Sequence, residues 1–206
     1  MRVHNVEQNS PEWYQLRLGL PTASDFHRII TPTGKRSTQA DEFSSELVAE
    51  MLLARDVKAF VGNYHTERGH ELEPQAVQLY EFVNEVKTTP GGFVTDDAVT
   101  MGCSPDRLIG DEGLLEVKCC KPAVMVDYIL TQAIDRDFKP QLQGQLLVTG
   151  RAYVDLVPFH PDFPAVSIRV ERDEEYLKLM QEYMEAFLDD LKSKRARMVG
   201  LGYMEA

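Results

Sequence analysis

Three things are scarce in this chain, and each scarcity narrows what it does. No apolar run is long enough to span a bilayer, and the first ten residues contain no apolar core of the kind a signal peptide needs. The expected setting is therefore the cytosol of the producing cell, with no membrane partner. Cysteine is limited to Cys103, Cys119 and Cys120, none of them in a CxxC spacing. That argues against a disulfide scaffold, a structural zinc site and a four-thiolate iron–sulfur cluster, and for reduced thiols. Positive charge is also short: 22 Lys and Arg face 33 Asp and Glu, for a net charge of −11. Proteins that grip duplex nucleic acid over a broad surface are usually basic. Either this chain binds no nucleic acid, or it does so through a few focused sites and bound cations. The acids crowd one late stretch, Glu171, Asp173, Glu174, Glu175, Glu182, Glu185, Asp189 and Asp190, away from the motifs below.

What is present suits a globular domain. With 206 residues, 43% hydrophobic and 27% charged, and no repeat or linker, the chain is expected to form one domain over 1–206. Ser10-Pro11 opens a short helix that Gly19 and Pro21 end. Thr22 caps a second helix, with Asp25 at the reciprocal position of a capping box. Residues 31–39 are polar and read as a mobile loop. Helical spacing returns over 41–55 and 66–84, with Pro74 predicting a kink or a fresh start. Short β-prone runs follow at 86–89, 93–95, 99–104, 107–109 and 114–118, punctuated by Gly91-Gly92 and by Gly110 and Gly113. Helices are expected over 125–133 and 140–148, closing strands over 153–159 and 166–170, and a final amphipathic helix from Tyr176 to Leu191. This order predicts an α+β fold with a central mixed β-sheet flanked by helices.

The chemistry sits in the strand-rich segment. Pro105-Asp106 is followed ten residues later by Glu116-Val117-Lys118. Comparable acid-x-Lys triplets occur at Asp56-Val57-Lys58, Glu85-Val86-Lys87 and Asp190-Leu191-Lys192. Only Glu116 stands in an apolar strand joined by a hairpin to a strand that ends in an acid. Residues two apart on a strand share a face, so Glu116 and Lys118 project together while Val117 points to the core. The hairpin brings Asp106 alongside Glu116, and two carboxylates this close raise each other's pKa unless a cation lies between them. Hard oxygen donors favour Mg2+, which polarises a phosphoryl oxygen and acidifies a bound water. Lys118 adds a point charge near that water. Glu73, on a helix, is a candidate third acid, and one of Gln141, Gln143 and Gln145 is expected to contact the site.

A second cluster reads as an anion site. Thr22 and Ser24 stand at a helix N-terminus, where free N–H groups and the dipole favour negative charge, and Arg17 offers a fork for phosphate oxygens. Trp13, the single tryptophan, either stacks on a base or fills the core.

Taken in order, these pieces resemble the phage lambda exonuclease and YqaJ-type viral recombinase family, within the PD-(D/E)xK nuclease superfamily and its restriction-endonuclease-like core. The matching runs are Trp13 to Gly19 with Thr22-Ala23-Ser24, Arg68-Gly69 with Glu73, Cys103 to Asp106, Leu115 to Lys118, and Gln141-Leu142-Gln143. The resemblance implies a Mg2+-dependent deoxyribonuclease, with Mn2+ able to substitute, that digests linear duplex DNA 5′→3′ and leaves 3′ single strands. It implies a homotrimeric ring around DNA and a single-strand annealing protein as partner in recombination. Residue by residue, it makes Asp106, Glu116 and the Val117 carbonyl metal ligands and Lys118 the catalytic lysine. Glu73 becomes a supporting acid, and Gln143 holds the nucleophile or a metal-bound water. Arg17, Thr22 and Ser24 take the DNA 5′-phosphate, and Trp13 lies near the DNA end. Asp96 and Asp97 remain alternatives for a further acid. Two other readings stand beside this one: an endonuclease built on the same core, and a non-enzymatic protein that holds an anion on the Arg17 cluster.

Overall fold

The structure is a computed structural model that describes residues 1–56 and 64–205, with residues 64–70 described by their backbone alone. In chain order the elements are β1 (Arg2–His4), α1 (Pro11–Arg17), a 3-10 segment (Ala23–Arg28), α2 (Ala40–Leu53), α3 (Tyr64–Asn84), β2 (Thr88–Pro90), β3 (Phe93–Thr95), β4 (Gly102–Cys103), β5 (Arg107–Ile109), β6 (Gly113–Cys119), α4 (Pro122–Thr131), α5 (Lys139–Thr149), β7 (Tyr153–Phe159), β8 (Ile168–Glu171) and α6 (Glu174–Gly200). The fold is α+β, as the pattern predicts, with the strands divided between two sheets. The larger is mixed, in the order β2-β5-β6-β7-β8, and only β6 and β7 run parallel. A parallel pair needs a long crossover, which α4 and α5 supply. The smaller sheet, β1-β3-β4, is antiparallel.

Strand β6 organises the site because both of its faces are covered. Leu115 and Val117 pack under α3 against Ala76, Val77 and Tyr80. Leu114 faces the other way, against Tyr128 of α4 and Leu142 and Leu146 of α5. By alternation, Glu116 and Lys118 share the Leu114 face, the one α5 covers. Burial of Leu114 and Leu115, both at 0% exposure, contributes about 1.5–3 kcal/mol each. It also fixes the register, since a one-residue slip would drive the two charged side chains under α3. A third apolar cluster joins Phe43, Leu47 and Val48 of α2 to Tyr176, Met180, Met184 and Phe187 of α6.

Several expectations are corrected. Residues 99–104 form only the two-residue β4. Asp96 accepts hydrogen bonds from the Thr100 and Met101 N–H groups and from the Thr100 hydroxyl, and Val99 adopts φ +56°. That side-chain-held turn replaces the first half of the expected strand. Of the two outcomes expected at Pro74, a kink or a fresh start, the fresh start does not occur, because α3 runs through it as one element. The segment 31–39, read as mobile, is tied down: Thr31 N–H donates to the Lys35 carbonyl, Ser37 N–H to the Ile29 carbonyl, and the Tyr176 hydroxyl to the Thr31 carbonyl. Val57, Lys58 and the side chain of Arg68 lie outside the described residues. Among the described residues, no helix is long and apolar enough to cross a membrane.

Candidate active site

The hairpin between β5 and β6 sets the relative position of the acids. Arg107 pairs with Leu115 and Ile109 with Gly113, so β5 begins beside β6 just before Glu116. The turn is held by Arg151, whose Nη1 donates to the Gly110 and Gly113 carbonyls at 2.8 and 2.7 Å. Beyond the last ladder pair, Asp106 takes over: its Oδ2 accepts from Val117 N–H at 2.6 Å. A strand residue sends its N–H and C=O toward the same edge, so the Val117 carbonyl leaves β6 on the side of Asp106. The Pro105-Asp106 turn is supported from behind. Gly91 N–H donates to the Asp106 carbonyl at 3.2 Å, and a Cβ at Gly91 would sit 1.8 Å from the Pro105 carbonyl oxygen, so only glycine fits.

Glu116, 4% exposed, is surrounded by donors. Lys118 Nζ approaches Oε1 at 2.7 Å, Gln141 Nε2 donates to Oε1 at 2.6 Å, and Gln145 Nε2 donates to Oε2 at 2.7 Å. Lys118 also donates to Gln141 Oε1 at 3.3 Å and lies 5.1 Å from the Phe138 ring centroid. Burial pulls the Lys118 ammonium down, but Glu116 and then Asp106 outweigh it and the net direction is up. For Asp106, burial pushes the carboxyl well above its ordinary value, and Glu116 and Glu73 push it further. The Val117 N–H and Lys118 pull the other way without prevailing. The site thus holds more negative charge than its own cations offset.

That imbalance is the test for a metal. Two carboxylates, one backbone carbonyl and a nearby third acid form an all-oxygen donor set suited to a hard divalent cation, and Mg2+ commonly takes one or two carboxylates and fills the rest with water. Among the described residues there is no group of three or more His, Cys, Asp or Glu side chains that could hold a metal ion by themselves, so the donor set consists of the two carboxylates with the backbone carbonyl. The residues fit the group.

The Arg17 cluster adjoins this centre. Arg17 Nη2 donates to Thr22 Oγ1 at 3.0 Å, Thr22 Oγ1 and Ser24 Oγ lie 3.3 Å apart, and the guanidinium stacks 4.1 Å over the Trp13 ring. Trp13 is 9% exposed and donates from Nε1 to Ser104 Oγ at 2.9 Å, which Arg17 Nη1 also approaches at 3.5 Å. Thr22 bridges to Gly102 of β4, so the cluster is anchored to the strand that leads into Asp106. Burial pulls the Arg17 guanidinium below its ordinary value, against Asp25, Asp56 and Glu50; it stays charged at any working pH. One expectation changes here. Residues 23–28 are a single 3-10 segment, and Thr22 makes no side-chain capping bond. Its hydroxyl accepts from Arg17 instead, so the cluster is built from side chains rather than from a helix terminus.

The structure brings together Asp106, Glu116, Val117, Lys118 and, by its field on Asp106, Glu73. It also gathers Trp13, Arg17, Thr22 and Ser24. It does not bring Gln143. That side chain is turned away: Nε2 donates to the Glu171 carbonyl at 2.8 Å and Oε1 accepts from Asp173 N–H at 3.0 Å. Position 143 lies about 200° around the helix from 141, whereas 141 and 145 are one turn apart on the face toward Glu116. Gln141 and Gln145 therefore occupy the place expected of Gln143. Neither aspartate left open reaches the site, since Asp96 holds its own turn and Asp97 pairs with the N-terminal amine at 2.9 Å. Ser104 was missed as a site residue. Its signal was its place two residues before Asp106, on the same strand-like run.

Comparison with known proteins identifies the family. The family model for a YqaJ-like viral recombinase domain matches residues 12–152, a span that holds every side chain of both clusters. LHK-Exo, an alkaline exonuclease from Laribacter hongkongensis, aligns with a TM-score of 0.82 at 27% identity, over 94% of this chain and 98% of that one. The same exonuclease in complex with dAMP aligns with a TM-score of 0.81 at 28% identity, over 92% and 96%. A phage-related exonuclease from Haemophilus somnus 129PT shares the fold, with a TM-score of 0.64 at 16% identity over 87% and 96%. Comparison with curated protein sequences gives no match. With more than half its length matched by the family model and its acids and amides gathered as described, the chain belongs to the YqaJ-like viral recombinase family.

Proposed function

We propose that the chain is a Mg2+-dependent exonuclease of the PD-(D/E)xK type that digests linear duplex DNA from a 5′-phosphorylated end and leaves a 3′ single strand. The observation that carries this reading is the adjacency of two oppositely disposed clusters. Ser104 belongs to the Arg17 cluster and Asp106 to the acidic one, and two extended residues separate them by at most about 7 Å. That is the scale of one nucleotide step. An end phosphate held by Arg17, Thr22, Ser24 and Ser104 sets the next phosphodiester beside Asp106 and Lys118.

Asp106, Glu116 and the Val117 carbonyl would hold the cation, with Glu73 as an outer acid and Mn2+ able to replace Mg2+. When bound, the cation supplies a polarised phosphoryl oxygen and a more acidic water. The protein's own groups do the rest. Lys118 places its ammonium at the reacting phosphate, and Gln141 spans Glu116 and Lys118 so that acid and base keep their spacing. Trp13 backs Arg17 and keeps its guanidinium plane fixed. The alkaline exonuclease LHK-Exo supports the activity class, and its dAMP complex supports a nucleotide-binding site. The homotrimeric ring and the annealing partner follow from family resemblance, and the cytosolic setting is expected for a bacterial host if the chain is phage-derived. A ring suits a chain of net charge −11, since topological linkage needs less basic surface than adhesion.

The test is digestion of linear duplex DNA carrying a 5′-phosphate or a 5′-hydroxyl, with Mg2+, alongside a closed circle and the Lys118→Ala variant. The expected result is loss of the 5′-labelled strand, faster with the phosphate and absent on the circle and in the variant. Cleavage of the circle would point to an endonuclease, and inertness toward every substrate would leave an anion-binding protein.

A further inference from the structure

Helix α5 brings two glutamines, not one, to the carboxylate of Glu116. Gln141 has a second occupation, since its Oε1 accepts from Lys118. Gln145 does not. It is 1% exposed, its Nε2 donates to Glu116 Oε2 at 2.7 Å, and among the described residues its Oε1 has no hydrogen-bond partner. Burying an amide with one end unpaired is unfavourable, and an aliphatic side chain of similar length would fill the same space without that cost. The amide orientation follows from its partner: with Oε1 turned to Glu116, two acceptors would face each other. The polar end of Gln145 therefore has one visible purpose, the bond to Glu116.

The two amides divide the carboxylate between them. Among the described residues, Lys118 and Gln141 take Oε1 while Gln145 alone takes Oε2. Without Gln145 the carboxylate is held by one oxygen and is able to pivot about its last torsion, whose wells are broad. We propose that Gln145 is a positioning residue for Glu116, forming with Gln141 a two-amide clamp that fixes the carboxylate plane for cation binding. The backbone reinforces the clamp from the same helix. Gly144 lies against Phe26, where a Cβ would come within 2.4 Å of the ring, and Thr149 Oγ1 donates to the Gln145 carbonyl at 2.7 Å. The residue therefore stands on a rigid, closely packed support. This inference rests on the cation role proposed above for Glu116.

Two variants test it. Gln145→Met keeps the volume and removes the donor; Gln145→Asn keeps the amide and shortens its reach. Mn2+ affinity of the whole chain is measured by calorimetry without DNA, and kcat and KM are measured on 5′-phosphorylated duplex. Both variants are expected to lose about 10- to 100-fold in Mn2+ affinity and in kcat, with KM for DNA unchanged and the melting temperature of Gln145→Met close to that of the parent. A Gln145→Met protein that keeps its Mn2+ affinity and kcat overturns the proposal, because a space-filling role would be met by methionine. If that variant does not fold, Gln145→Asn decides by the same two readings. A parent chain that binds Mn2+ but hydrolyses no DNA sinks the exonuclease reading and leaves the clamp to be judged by affinity. A parent chain that holds no Mn2+ sinks both.

Discussion

The two clusters on either side of Ser104 are built around charges of opposite sign. The Asp106 centre gathers carboxylates that exceed their cations, and its leading acid is driven well above its ordinary pKa, first by burial and then by Glu116 and Glu73. In the Arg17 centre a half-buried Arg17 donates to the hydroxyls of Thr22 and Ser104, stacks on Trp13 and lies in the field of Asp25, Asp56 and Glu50. In the proposed reading the first takes a cation and the second takes the end phosphate. The lesson concerns the net charge of −11, which looks wrong for a DNA-binding protein until the surface is divided. Acids on α6 and α2 are occupied elsewhere, as in Asp190 and Asp41 around Lys194. The contacts expected to meet DNA are few, local and preorganised, so focused charge replaces total charge.

The largest effect should come from breaking the acidic half. Asp106→Asn keeps an acceptor for Val117 N–H but removes the charge that would hold the cation. Hydrolysis is expected to fall by about 10^3-fold or more, while the melting temperature measured without divalent metal holds or rises, because a buried repelled carboxyl is gone. The same asymmetry sets a pH dependence. The folded carboxyl of Asp106 lies above its unfolded value, so between the two the native state binds more protons and stability falls as pH rises. Metal-free protein should therefore lose stability as pH climbs through that raised value. Mg2+ should restore it, and Asp106→Asn should flatten the curve. A scanning-calorimetry series from pH 4 to 9 with and without Mg2+ checks all three; an unchanged slope in the variant would assign the effect to another group.

Much of this division was readable before the fold was known, for identifiable reasons. Strand β6 alternates cleanly, so the shared face of Glu116 and Lys118 and the inward turn of Val117 followed from the pleat alone. The Gly110–Gly113 turn identified the partner strand. Ser10-Pro11 marked α1, whose N-cap accepts from Trp13 N–H as expected. What was not readable depended on side chains competing with backbone. Asp96 turned the expected strand at 99 into a tight loop, and Thr22 gave its hydroxyl to Arg17 rather than to a cap. The glutamines show a different limit. In α5 residues 142–146 are all buried, with leucines toward the β6 face, Gly144 against Phe26 and Gln143 against the start of α6. A helix buried all round carries no polar stripe from which its phase is legible, so nothing local distinguished 143 from its neighbours two positions away.

Breaking the cationic half should cost less and differently. Arg17→Lys keeps the charge and loses the planar fork and the stacking on Trp13. On 5′-phosphorylated duplex, kcat/KM is expected to fall about 10- to 100-fold, carried mainly by KM, while activity on 5′-hydroxyl duplex changes little. The preference for the phosphate therefore collapses. Ser104→Ala should move the same ratio by a smaller factor, about 3- to 10-fold, since it removes one neutral contact and frees Trp13 Nε1. If Arg17→Lys slowed both substrates equally, the cluster would be a structural brace for Asp106 and not an end-phosphate site.

The smallest effect on chemistry should come from the glutamine that faces away. Gln143→Leu is close in size and removes the bonds to the Glu171 carbonyl and the Asp173 N–H, leaving those backbone groups to find water. Asp173 is the N-cap of α6, accepting from Tyr176 N–H, and it also pairs with Lys139 at 2.7 Å. The loss therefore falls on the joint between α5 and α6. Stability should drop by about 1–3 kcal/mol, read as a lower melting temperature, with kcat, KM and the 5′-phosphate preference unchanged for the folded fraction. Gln141→Leu should do the opposite, leaving stability nearly intact while kcat falls at least tenfold, because its amide spans Glu116 and Lys118. Two substitutions of one residue type, two positions apart on one helix, would then separate folding from catalysis. If Gln143→Leu lowered kcat as much as Gln141→Leu, the face of α5 that meets Glu116 would have to be redrawn.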